Sequence, residues 1–171
     1  LLQFSDKTDE QIYKREDTVN YLDKVISEYI STALATPNLN VNISQALSSY
    51  YLMLVDIERI SDYAVNMNHQ ATKRLQGDMT ISEIEIIEHM KKLCEDMKND
   101  LDDVEEAERK DDVIDSLVSS WREAQIQALK QKKCSSEVSM MLSRIFTDFE
   151  RINDHALNVS CLLYTSPSPR D

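Results

Sequence analysis

The sequence predicts an all-α protein, an elongated antiparallel helical bundle, and three observations predict it. Glycine occurs once, at Gly77, and the prolines are Pro37, Pro167 and Pro169, so one glycine is the only strong breaker between 38 and 166. Apolar residues recur at three- and four-residue steps over long stretches. The stretch 55-VDIERISDYAVNMN-68 also returns ninety-two residues later as 147-TDFERINDHALNVS-160, with seven of twelve positions from Asp56 and Asp148 identical in the frame D-x-E-R-I-x-D-x-A-x-N. A duplicated helical frame implies a duplicated unit. The expected organisation is two three-helix repeats, about 8–76 and 80–161, with the first helix of the first repeat missing ahead of Leu1.

The first helix is expected from about Thr8 to Ala35, where 36-TPNLN-40 stops it because proline cannot continue a helix and asparagine favours turns. The second is expected from an Asn42 cap to about Gln76, with Gly77 free to take the left-handed closing conformation. Its seam reads Leu47, Tyr50, Leu54, Ile57, Ala64 and Ala71. The third follows Thr80, which with Glu83 makes a T-x-x-E capping box, and is expected to end near Glu108. A fourth, from about Asp111 to Lys132, and a fifth, from a Ser135 or Ser136 cap to Leu163, complete the set. On the fifth, Leu142, Phe146, Phe149 and Ala156 repeat the seam of the second. The tail 162-LLYTSPSPRD-171 fits neither repeat and reads as a disordered end or a scar of cloning or sequencing.

A net charge of −12 disfavours nucleic acid and anionic lipid, which need clustered Lys and Arg, and favours cations or basic protein surfaces. The longest apolar run, 50-YYLMLV-55, falls far short of the ~20 residues that span a bilayer, so direct membrane insertion is not expected. Cys94, Cys134 and Cys161 are odd in number and free of any C-x-x-C, the pattern of buried thiols in a reducing compartment. The chain opens on Leu, which reads as a fragment of a longer protein. No Gly-rich phosphate loop, G-x-S-x-G, H-E-x-x-H or paired E-x-x-H is present, so no enzyme class is supported.

The repeated frame carries chemistry. Residues four apart share a helix face about 6 Å apart along the axis, so Glu58 with Asp62 and Glu150 with Asp154 are adjacent carboxylates, mutually repulsive unless neutralised. Folding each hairpin antiparallel sets Asp111 level with Asp154 and Asp115 level with Glu150. In the first hairpin, Glu16 falls beside Asp62 and Asn20 beside Glu58. Each hairpin then gathers four oxygen side chains within ~10 Å, an arrangement that raises carboxyl pKa values and destabilises the fold unless a cation occupies it. Fe or Mn, and also Mg, Ca or Zn, suit such oxygen-rich sites. The plainer readings are solvated faces, with Arg59 and Arg151 as neutralisers. His155 reads as a polar flank residue, since its counterpart is Tyr63, and Trp121 and the methionines read as core filler. The acidic run 95-EDMKNDLDDVEEAERKDD-112 reads as a solvated face.

DIERISDYAVN and DFERINDHALN resemble the duplicated signature of the PhoU family, all-helical regulators of two three-helix repeats, over about residues 8–161. The resemblance implies metal clusters held by Glu58, Asp62, Glu150 and Asp154, with Glu16, Asp111 and Asp115 as further ligands. It also implies a non-catalytic role in phosphate uptake. Asn20 departs from the acid expected at its place. The stretch 130-KQKKCSSEVSMMLSRIFTDFERINDHALN-158 is more similar to the PhoU-like C-terminal cytoplasmic domain of bacterial Na/phosphate cotransporters. The free-standing regulators of the phosphate ABC transporter and its sensor carry P-x-A-x-D-L-R where this chain reads 40-NVNISQALSSYYLMLV-55. A cytoplasmic place at the inner face of the membrane, with a phosphate transporter as partner in cis or in trans, follows from the resemblance, and a homodimer is compatible with it. A purely structural, spectrin-like scaffold is the alternative from another class.

Overall fold

The computed structural model describes residues 6–72, 81–99, 101 and 103–165, with side chains from Glu10 onward except those of 71, 72 and 81–84. Five helices account for nearly all of it: α1 Asp6–Leu34, α2 Val41–Thr72, α3 Ile81–Asn99, α4 Val104–Lys130 and α5 Ser136–Thr165. The all-α expectation holds. Helix α5 is central, packed lengthwise on α2 and α4, while α1 lies along α2 and α3 rests on α4 and α5.

Each hairpin turn is built by local chemistry. After α1, Asn38 takes a positive φ of 59°, which its short amide tolerates. The cap of α2 is Asn40 rather than Asn42: Asn40 Oδ1 accepts from the Asn42 N–H at 2.8 Å, and its carbonyl accepts from Ser44 at 2.9 Å. Helix α4 closes with Lys132 at φ 57° and a 2.9 Å bond from the Lys133 N–H to the Ala128 carbonyl, a Schellman ending that uses lysine where glycine is usual. Ser135 caps α5, its Oγ accepting from the Val138 N–H at 3.2 Å. Gly77, Thr80 and the Glu83 side chain lie outside the described residues. Helix α5 continues to Thr165, so the first residues of the presumed tail are helical, and 166–171 lie outside the described residues.

The third helix ends well short of the expected Glu108, and the fourth begins earlier than Asp111. Helix α3 stops at Asn99, and α4 starts at Val104 behind Asp103, whose Oδ1 accepts from the Glu106 N–H at 3.1 Å. Glu105 and Glu106 then place negative charge at the positive end of α4. Asp103→Ala is expected to lower stability by about 1 kcal/mol, the usual worth of a cap, read as a lower urea midpoint at constant m-value.

The core belongs mainly to α5. Leu142, Ile145, Phe146 and Phe149 are almost fully buried against Ile114 and Val118 of α4 and Met90 and Met97 of α3. Trp121 packs against Phe146 at 5.9 Å and meets His89 edge-on at 5.7 Å, as core filler should. On α2 the seam is rotated from expectation. Met53 is buried and Ile60 and Met67 pack on the core, whereas Ile57 is 42% exposed and Ala64 is also exposed. Leu47, Tyr50 and Leu54 are half-buried, and the Ala71 side chain lies outside the described residues. The reason is packing: the matching positions of α5 are roofed by α3 and α4, while α2 has only α1 and α5 beside it. Helix α1 accordingly keeps Tyr21, Leu22, Val25, Ile26 and Tyr29 exposed.

The three cysteines are free and half-buried, and burial, with Glu95 adding, pushes the Cys94 thiol up to about 11. Among the described residues no helix is long and apolar enough to cross a membrane.

Candidate metal centre

In the second hairpin, Asp111 and Asp115 stand one turn apart on α4 and Asp154 faces them from α5. Asp111 registers that setting: burial first, then Asp115, Asp154 and Asp112, raise its carboxyl from 3.8 to about 6. Its Oδ1 is buried and has no hydrogen-bond partner among the described residues. An anionic oxygen held out of water beside other carboxylates is the donor a hard cation needs. Arg151 reaches Asp154 at 3.2 Å from the same helix, a largely solvent-exposed contact.

Glu150 has a different neighbour from the one expected. Arg122 of α4, two turns beyond Asp115, meets its Oε2 at 2.5 Å and also donates to Thr147 Oγ1 at 3.2 Å. The arrangement brings together Asp111, Asp115 and Asp154 and leaves Glu150 neutralised beside them.

The first hairpin is built otherwise. Glu58 has its carboxyl raised by burial first and then by Asp62, with Arg59 drawing it down and Asp23 of α1 adding to the rise. Arg59 lies 3.8 Å away. Asp23 is the residue that sequence reasoning missed. It stands in the three- and four-step row Glu16, Val19, Asp23, Ser27, Ile30 that faces α2, a periodicity that would have found it. Asn20 is exposed and spends its amide on Glu16 Oε1 at 2.6 Å rather than on Glu58. Among the described residues, no three His, Cys, Asp or Glu side chains converge closely enough to enclose an ion as they stand. Both patches are partly open to solvent.

The model of the PhoU domain matches residues 1–71 and 84–163. The chain belongs to the PhoU family. No curated protein and no solved structure matches it. A PhoU domain points to a regulatory part in phosphate homeostasis, and members are generally non-catalytic. The two matched segments each hold one copy of the frame and one acid patch.

Between the two PhoU frames, α2 and α5 run antiparallel and touch through a contact absent from the sequence reading. His155 Nδ1 lies 2.7 Å from Asp56 Oδ1, the Asn158 amide donates to the same oxygen at 3.3 Å, and the imidazole stacks on Tyr63 at 5.8 Å. His155 thus serves the contact between frames, turned toward α2. The frame spacing pairs Asp56 with Asp148, His155 with Tyr63 and Asn158 with Asn66, so an approximate two-fold relates the two sides of this contact. The mate is unlike it. Asp148 accepts no hydrogen bond among the described residues, its carboxyl raised by burial and drawn down by Arg144. A groove of about 310 Å³ opens there, lined by Asn66, Gln70, Ser143, Arg144, Thr147 and Asp148.

Proposed function

We propose that this PhoU domain is a non-catalytic metal-binding regulator of phosphate transport, the cytoplasmic domain of a Na/phosphate cotransporter. The observation that carries the metal reading is the buried, unpartnered Oδ1 of Asp111 beside Asp115 and Asp154. Asp111, Asp115 and Asp154 would hold one cation, with Glu150 released from Arg122 as a further donor. Glu58 and Asp62, with Asp23, would hold another, and Glu16 would join only after giving up Asn20. All-oxygen donors suit hard or borderline cations, Fe, Mn, Mg and Ca before Zn, and membership of the PhoU family favours Fe or Mn among them. Each site takes ligands from both helices of a hairpin, so occupancy fixes the two rods relative to one another and sets the surface offered to a transporter.

The test is metal content and Mn²⁺ titration of the purified domain. Binding is expected in the wild type and should weaken at least tenfold in an Asp115→Asn/Asp154→Asn variant, the loss of two charged donors. Metal at background level and a melting temperature unmoved by Fe²⁺ or Mn²⁺ would leave a structural scaffold as the reading. The cotransporter context has its own check. Apolar spans of ~20 residues encoded upstream of Leu1 support fusion to a transporter, and a start codon closely upstream supports a free-standing regulator acting in trans.

A further inference from the structure

We infer that the groove between α2 and α5 is a binding site for a small zwitterion of the amino-acid class, its ammonium set on Asp148 and its carboxylate on Arg144. The two-fold comparison is the first support. At Asp56 the carboxylate is satisfied by nitrogen donors from His155 and Asn158, which close the space. On the Asp148 side the counterpart of the imidazole is Tyr63, which stacks on the His155 ring, and Asn66, the counterpart of Asn158, lines the groove without bonding the carboxylate. The groove beside Asp148 has a volume of about 310 Å³, within the range of small-molecule sites.

The lining selects the ligand class. Arg144 and Asp148 stand one helical turn apart without a direct ion pair, so the groove presents one positive and one negative group with room between them. A simple anion meets the Asp148 carboxylate and the −12 charge of the chain, and a simple cation meets Arg144. A dipolar ligand gains at both ends and is repelled at neither. The Asn66 and Gln70 amides, each donor and acceptor, face it from α2 and can orient it. This site shares no residue with the acid patches and does not rest on their binding metal.

Calorimetric or NMR titration of the full chain with glycine, L-serine and glycine betaine, beside ammonium chloride and inorganic phosphate, tests the inference. Glycine or L-serine is expected to bind, glycine betaine to bind more weakly for want of N–H donors, and the two simple salts not to bind. Asp148→Asn and Arg144→Gln should each weaken binding roughly tenfold, the loss of one charge-assisted contact, with circular dichroism unchanged. No binding by either amino acid, binding undiminished from wild type in either variant, or binding of phosphate alone would overturn it.

Discussion

Phe149→Ala is expected to lower the unfolding free energy by about 3–5 kcal/mol, the cost of removing a large aromatic from a packed interior. Phe149 is fully buried in the cluster that holds Ile114, Val118, Leu142 and Phe146, and it receives cover from three helices. A domain of this size commonly has about 5–15 kcal/mol in all, so the variant should sit near its unfolding transition at physiological temperature. The same frame position in the first repeat is Ile57, which is 42% exposed. Ile57→Ala is expected to cost below about 1.5 kcal/mol, since a large part of its apolar surface stays in water and a truncated side chain there leaves no closed cavity. Urea denaturation of the two variants reads the contrast directly. Equal losses would mean that the first hairpin is covered as completely as the second, contrary to the packing described.

That asymmetry marks the limit of what the sequence disclosed. The stripe Leu142, Phe146, Phe149, Ala156 was legible because helical period and apolar character both belong to α5 itself. The stripe of α2 was equally regular, yet its burial depends on which neighbour covers it, and period alone carries no such information. The break between α3 and α4 was expected some residues too late, near Glu108 to Asp111, for another reason: Asp103 is one acid among many in 95–112, and only the turn of its carboxylate onto the Glu106 N–H makes it a cap. Register arithmetic about the Lys133 turn brought Asp111 level with Asp154, because hairpin geometry is local. Glu150 escaped it, since its partner Arg122 lies two turns from the assumed position and outcompetes a carboxylate for that place. The Asp56–His155 contact joins residues ninety-nine apart in sequence, and no pattern within either helix announces it.

The two acid patches therefore differ in charge and not only in position. Arg122 removes Glu150 from the second, leaving three aspartates as its working set, whereas the first faces Glu58 and Asp62 with Asp23 and has Arg59 at 3.8 Å. Cation binding should accordingly need different side-chain movements at each: release of an arginine at one, and approach of Asp23 at the other. On the proposed metal reading, unequal affinities are expected from that difference.

Asp111→Asn is expected to stabilise the metal-free domain at neutral pH and to remove the stabilisation that Mn²⁺ gives the second hairpin. Burial, then Asp115, Asp154 and Asp112, hold the Asp111 carboxyl at about 6 in the folded state against an ordinary 3.8. A carboxyl raised in this way binds its proton more tightly when folded. The charged form consequently opposes folding above pH 6, and that opposition is relieved as pH falls from 6 towards 4. A rise from 3.8 to about 6 would by itself correspond to about 3 kcal/mol, and solvent screening of this partly exposed group reduces the expected gain to about 1 kcal/mol at pH 7. Below pH 4 the variant and the wild type should be equally stable. With Mn²⁺ at a hundred times its dissociation constant the wild type should gain about 2.7 kcal/mol from that site, because the cation replaces the proton as the neutraliser, and the variant should gain far less. Urea midpoints of both proteins between pH 4 and 7.5, with and without Mn²⁺, measure both effects. A wild-type and variant difference that does not change with pH would show that Asp111 ionisation is immaterial to the fold, and an undiminished Mn²⁺ gain in the variant would remove Asp111 from the site.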